Sequence, residues 1–102
     1  MRTHRLRFKS IGDRRVRRGR LIIGERTLVI RGFGVKDQRT IADLRRVDYM
    51  VRNTGTARLV LWLPDGEMDL GGIDRPKAKA AARILAGLID PDASPDEAFK
   101  RT

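Results

Sequence analysis

The stretch RGRLIIGERTLVIRG, residues 18–32, decides the fold class. Its two apolar, β-rich runs are separated by Gly24-Glu25-Arg26, and such runs around a short Gly-containing linker are typical of a β-hairpin. Five arginines occupy the seven positions 14–20, immediately before and into the first run. The stretch therefore predicts two adjacent antiparallel strands, with an unusually basic segment at the start of the first one.

Further strand-like segments lie on both sides of this hairpin. A first strand is predicted over about residues 4–9, where Leu6 and Phe8 alternate with basic residues. Asp65-Gly66 is a strong hairpin dipeptide between two apolar runs. The other segments with a strand pattern are QRTIA (38–42), RVDYMV (46–51, with Val47, Tyr49 and Val51 on one face), ARLVLWLP (57–64) and EMDLGG (67–72).

The hydrophobic period changes to that of a helix at residue 74. Asp74 suits an N-cap, and Pro76 is tolerated in the first turn because its missing N–H needs no partner there. Asp90-Pro91 ends the helix, since the residue before a proline disfavours helical geometry. The apolar residues at helical spacing are Ala78, Ala81, Ala82, Leu85, Leu88 and Ile89.

The fold class that follows is mainly β with one C-terminal helix. We expect a seven-stranded antiparallel sandwich or barrel capped by an amphipathic α-helix. Residues 1–90 form one domain in this prediction. Residues 91–102 form a polar C-terminal tail, in which Ser94, Pro95 and Glu97 resemble the start of a short extra helix.

Charge is the main clue to function. The chain of 102 residues carries a formal net charge of +10, and residues 1–20 hold nine Lys/Arg against one Asp. A localised basic field attracts polyanions such as nucleic acid, anionic lipid or an acidic protein face. The absence of cysteine excludes a disulfide scaffold and thiolate chemistry. No P-loop, dinucleotide fingerprint or serine–base arrangement is present. We therefore expect a protein that is not an enzyme and that needs no cofactor or metal.

The order of seven strands and one helix resembles the pleckstrin-homology (PH) superfold, and most closely the GRAM and bacterial PH-like domains. RGRLIIGERTLVIRG is similar to the G-x-L-x-[IV] strand, turn and second apolar strand of that group. A weaker similarity to the same group is found in RTIADLRRV (39–47) and in the terminal RPKAKAAARILAGLI (75–89). The resemblance covers roughly residues 5–90 and implies a PH-like binding domain.

The resemblance also implies a ligand site at the open end of the barrel. In lipid-binding PH domains this site lies between the first two strands, where a K-x(n)-[KR]-x-R pattern is common, and is flanked by the third–fourth and sixth–seventh loops. Phe33 and Lys36 belong to the third–fourth loop here, whereas the acidic Asp65 and Glu67 fall in the sixth–seventh loop and argue against recognition of one specific phosphoinositide. The candidate anion- or lipid-binding residues are Lys9, Arg14, Arg15, Arg17, Arg18, Arg20 and Lys36.

The predicted function is that of a binding module for an anionic surface, preferably acidic membrane lipid, through an arginine-rich loop between the first two strands. The expected location is the cytoplasm, peripherally at the inner face of the membrane. The alternative interpretation without a binding function is that the arginines form a solvated strand edge. Phe33 is a candidate membrane or lid contact, and equally a plug over the barrel end.

Two alternative functions stay open. Residues 59–63 are apolar on both faces, so Val60 and Trp62 form a candidate interface for a protein partner or a second copy, as in an adaptor or homo-oligomeric scaffold. If the strand bends between two sheets, both faces are instead buried within the chain. Sequence-nonspecific nucleic-acid binding ranks lower, because aromatic residues make up only 5% of the chain and single-strand binders rely on aromatic stacking.

Overall fold

The computed structural model describes residues 3–12, 14–32, 34–52 and 54–89. In these ranges, seven strands precede one α-helix, with a 3₁₀ turn at Ile41–Asp43 between the fourth and fifth strands. The elements are β1 (His4–Ile11), β2 (Arg14–Ile23), β3 (Thr27–Gly32), β4 (Val35–Thr40), β5 (Arg46–Val51), β6 (Thr56–Leu63), β7 (Gly66–Asp74) and α1 (Arg75–Ile89).

All seven strands belong to one antiparallel sheet in the order β4-β3-β2-β1-β7-β6-β5. The pairing of β1 with β7, through Ser10 with Gly71 and Ile11 with Leu70, joins a four-stranded meander to a three-stranded one. Helix α1 packs mainly against β5 and β6. The predicted fold class, seven antiparallel strands and a C-terminal helix, is confirmed. No helix in the described ranges has the length and apolar character needed to cross a bilayer.

Strict alternation along β1–β3 places one set of side chains in the core and the other outside. Leu6 and Phe8 of β1, Leu21 of β2 and Ile30 of β3 are almost fully buried, whereas their immediate neighbours on the other face are exposed or partly exposed. The helix contributes small residues, which lets its axis approach the sheet closely. Its buried residues are Ala78, Ala81, Ala82, Leu85 and Ala86.

The structure corrects the expected position of the arginine-rich segment. We predicted a loop, but β1 ends at Ile11 and the chain is already β-strand from Arg14. Gly12 makes the reversal with a positive φ of 53°, which glycine adopts at no steric cost. The arginines therefore extend β2 beyond its apolar part instead of forming the predicted loop.

One other boundary and the exposure of two side chains differ from the sequence prediction. The fourth strand begins at Val35, three residues before QRTIA, because Gly34 reverses the chain with a φ of 74° directly after β3. Val51 and Leu88, predicted to face the core, are each 37% exposed because they lie at the ends of β5 and α1. The predicted tail, residues 91–102, lies outside the described residues.

Candidate anion-binding face

Four basic side chains stand in one row across β1–β4. The strand register pairs Arg7 with Arg20, Arg20 with Arg31, and Arg31 with Lys36. All four are exposed, on the face of the sheet opposite the core. Because adjacent strands lie about 4.8 Å apart, the row, here called the cationic row, is about 14 Å long.

The cationic row is electrostatically unfavourable by itself. Like charges directly opposite each other on neighbouring strands destabilise a sheet. Between described side chains, the ion pairs engage Arg39, Arg46 and Arg58, and none includes a member of the row. A bound anion would supply the missing counter-charge.

Two open grooves run along the cationic row and share Arg7 and Arg20. The first, of about 320 Å³, is lined by these two arginines with Arg18 and Arg31, and by Gly19, Ile22 and Gly32. The second, of about 520 Å³, adds Arg5 and Lys77 from the start of α1. Among the described residues, no acidic side chain lines either groove. The face therefore presents a continuous field of arginine and lysine donors, which suit phosphate oxygens.

The structure brings together only part of the predicted anion-binding set. Arg18 and Arg20 line the first groove and Lys36 ends the cationic row. Lys9 is outside both of these grooves and lines an adjoining one with Arg7, Lys77 and the acidic Asp74. For Arg14, Arg15 and Arg17 the structure describes the backbone in β2 but not the side chains, and Phe33 lies outside the described residues.

Sequence reasoning missed Arg5, Arg7, Arg31 and Lys77. Arg5 and Arg7 alternate with the buried Leu6 and so carry a visible strand signal. Arg31, however, joins the site only through the register of the β2–β3 hairpin. The length of that hairpin's turn was the one signal that could have placed it beside Arg20.

Asp65 in the β6–β7 turn pairs with Arg39 of β4, which is not a member of the cationic row. Arg39 Nη1 and Nη2 donate to the two carboxylate oxygens of Asp65 at 3.0 and 2.7 Å, and Arg39 Nε donates to Asp37 at 3.1 Å. The hydrogen bonds from Arg39 lower the pKa of Asp65, and those to Asp65 and Asp37 raise the pKa of Arg39. In the described chain, no group of three or more potential ligands is arranged to hold a metal ion.

A separate polar cluster occupies the outer face of β5 and β6. The Asp48 carboxylate, 5% exposed as a residue, accepts a 2.8 Å hydrogen bond from Trp62 Nε1 and a 2.7 Å hydrogen bond from Arg46 Nε. The Arg46 guanidinium lies 6.0 Å from the centre of the Trp62 ring. Trp62 remains 39% exposed, but Val60 is only 6% exposed. Val60 is thus covered within the chain itself, and Trp62 alone of the predicted interface pair is accessible.

The comparisons with known proteins support the fold and go no further. No protein-family model matches the chain, and no curated protein matches its sequence. In structure the chain is similar to the pleckstrin homology (PH) domain of USP37, with a TM-score of 0.75 over 90% of this chain and 100% of that one. The identity is 13%. The chain therefore has a PH-like fold.

Proposed function

We propose that this PH-like chain is a non-enzymatic binding module that docks on an anionic surface, preferably acidic membrane lipid, through the cationic row. The observation that carries the proposal is the in-register alignment of Arg7, Arg20, Arg31 and Lys36 with no described ion-pair partner. The GRAM-like assignment and a location at the cytoplasmic face of a membrane belong to the same proposal.

An extended surface fits this site better than one small ligand does. The basic residues lie in a line about 14 Å long on an open sheet face, whereas a small-molecule site is usually concave and encloses most of its ligand. Each basic residue near an anionic membrane contributes about 1 kcal/mol, so the four residues of the row contribute at most about 4 kcal/mol. Binding is therefore reversible and weakens as salt screens the charges.

The test is sedimentation of the protein with vesicles of neutral and of anionic lipid at about 0.15 M salt. We expect the wild type to bind only the anionic vesicles. The triple variant Arg7→Gln/Arg20→Gln/Arg31→Gln removes about 3 kcal/mol of attraction and should bind about 100-fold more weakly. Wild-type protein that binds neither vesicle would overturn the proposal.

A matched control variant distinguishes an effect of this face from an effect of the net charge of the protein. Arg26, Arg45 and Lys79 are exposed and line none of the grooves along the cationic row. Changing these three residues to glutamine lowers the net charge by the same amount, and binding should stay within about threefold of the wild type because screening limits distant charges. Equal losses in the two triple variants would contradict a defined docking face.

Stability gives a second readout for the same variants. Glutamines in the row remove repulsion between directly opposed arginines, each pair being worth about 0.2–1 kcal/mol. The row variant should therefore unfold at the same or a higher urea concentration than the wild type. If the row variant is fully folded and binds weakly, its loss of binding is due to the changed surface and not to unfolding.

The cluster around Trp62 supports an adaptor or homo-oligomeric scaffold as the second candidate function. Trp and Arg are enriched among residues that dominate protein interfaces, and here Asp48 holds an exposed Trp62 beside a half-exposed Arg46. If this function holds, Trp62→Ala abolishes self-association in light scattering while the row variant leaves it intact. Identical masses for wild type and Trp62→Ala at every concentration would exclude the scaffold.

A further inference from the structure

The second groove along the cationic row differs from the rest of the face because three elements supply its charges. Arg5 and Arg7 project from the outer face of β1, Arg20 from β2 directly opposite Arg7, and Lys77 from the first turn of α1. These four cations line about 520 Å³ of open space, and the one other described residue in the lining is Leu6. We call this site the β1–α1 groove.

We propose that the β1–α1 groove binds a phosphomonoester and prefers it to a phosphodiester; this inference rests on the proposed function. A phosphomonoester carries about −1.5 to −2 charges at pH 7 and has three strong acceptor oxygens. A phosphodiester carries one charge and has two free oxygens. Three guanidinium groups and one ammonium group from three elements line the groove, and together they have enough donors for all three oxygens of a monoester.

The rest of the cationic row lacks this arrangement. Arg31 and Lys36 continue the line across β3 and β4 and do not line the β1–α1 groove. The nearby carboxylate of Asp74 lines a neighbouring groove, which shares Arg7 and Lys77. Discrimination between phosphate types should therefore lie at the α1 end of the row, whereas general attraction to negative charge is spread along its length.

Vesicles test this preference on a lipid source. One set contains phosphatidic acid, a monoester, and the other phosphatidylglycerol, a diester, at fractions adjusted to the same zeta potential. One additional charge-assisted hydrogen bond is worth about 1.5 kcal/mol, so the wild type should bind the phosphatidic acid vesicles about tenfold more tightly. Equal binding to the two sets would overturn the inference and leave the proposed function standing.

Two double variants with equal loss of charge locate the preference. Arg5→Gln/Lys77→Gln should bring the ratio of the two affinities close to one and retain binding to both vesicles. Arg31→Gln/Lys36→Gln should weaken both affinities alike and keep the tenfold ratio. A ratio that survives Arg5→Gln/Lys77→Gln would place the discrimination elsewhere and contradict the assignment.

Soluble probes decide the matter independently of any membrane. Inorganic phosphate and dimethyl phosphate are titrated while backbone amide shifts are followed by NMR. Inorganic phosphate should give saturable amide shifts at residues 5–7, 20, 75 and 77, and dimethyl phosphate should give much weaker ones. Phosphate-specific shifts without vesicle binding would refute the membrane proposal, support the groove and assign it to a soluble phosphate group with the charge of a monoester. An absence of shifts at these residues would refute the groove.

Discussion

Gly19 lies in the strand that carries part of the basic face, and its lack of a side chain leaves room for an aromatic ring of the core. It lies between Arg18 and Arg20 on β2 and pairs with Phe8 of β1, whose ring is 1% exposed. A Cβ atom built at Gly19 would lie 2.6 Å from Cδ1 of the Phe8 ring and still closer to its Cε1 and Cζ. Non-bonded carbon atoms are most stable about 3.5–4.0 Å apart, so Gly19→Ala forces the ring or β2 to move.

The expected cost follows from the packing around that ring. Overpacking a well-packed core costs about 1–3 kcal/mol, and Phe8 lies in the central cluster with no exposed space to enter. We expect Gly19→Ala to lower the free energy of unfolding by about 2 kcal/mol. For a domain of this size, that change corresponds to a decrease in Tm of about 8–16 °C.

Urea unfolding followed by circular dichroism measures this change, and two variants control it. Gly87→Ala in α1 places its Cβ in open space, with nothing within 4 Å, and should stabilise the chain by about 0.5–1 kcal/mol. Phe8→Leu removes the two nearest ring atoms, so Gly19→Ala should cost at least 1 kcal/mol less in that background. An unchanged cost in the Phe8→Leu background would refute the packing argument.

Two further predictions concern the carboxylates. Asp48→Ala loses both hydrogen bonds, from Trp62 and from Arg46, and should cost about 1–3 kcal/mol in urea unfolding, with Asp48→Asn costing less because it keeps an oxygen acceptor. Because Arg39 lowers the pKa of Asp65 in the folded chain, the pair stabilises the fold above the ordinary aspartate pKa of about 3.9, and this stabilisation is lost as the pH falls through the folded value. Asp65→Asn should therefore lower the urea midpoint at pH 7, and its difference from the wild type should shrink towards pH 2. A difference that does not depend on pH would contradict the pairing.

Hydrophobic period predicted most of the fold. Alternation in residues 4–9 and 18–32 and the Asp65-Gly66 turn gave strands at the correct places, and the alanine-rich face after residue 74 gave the helix. These signals are local, since burial on one side of an element imposes its period directly on the sequence. For the same reason they failed at element ends such as Val51, where burial stops before the hydrogen-bonded strand does.

The candidate site was harder to predict because strand register is not a local property. The arginines at 14–20 were visible in the sequence. The start of β2 at Arg14 was not, since the polar end of a strand has no apolar alternation. The partners that make the cationic row, Arg7 and Arg31, depend on two hairpin registers. Burial of Asp48 likewise depends on Trp62, which lies fourteen residues away in the sequence.

Amide chemical-shift mapping on anionic bicelles tests the central claim most directly, because it shows which face meets the lipid. The account predicts the largest shifts at Arg7, Arg20, Arg31 and their neighbours on β1–β3, and no such shifts on neutral bicelles. The same row should return to its free shifts as salt rises to about 1 M, where the Debye length is about 3 Å. Shifts centred on Trp62 and β6, or none on anionic bicelles, would contradict the cationic row as the docking surface.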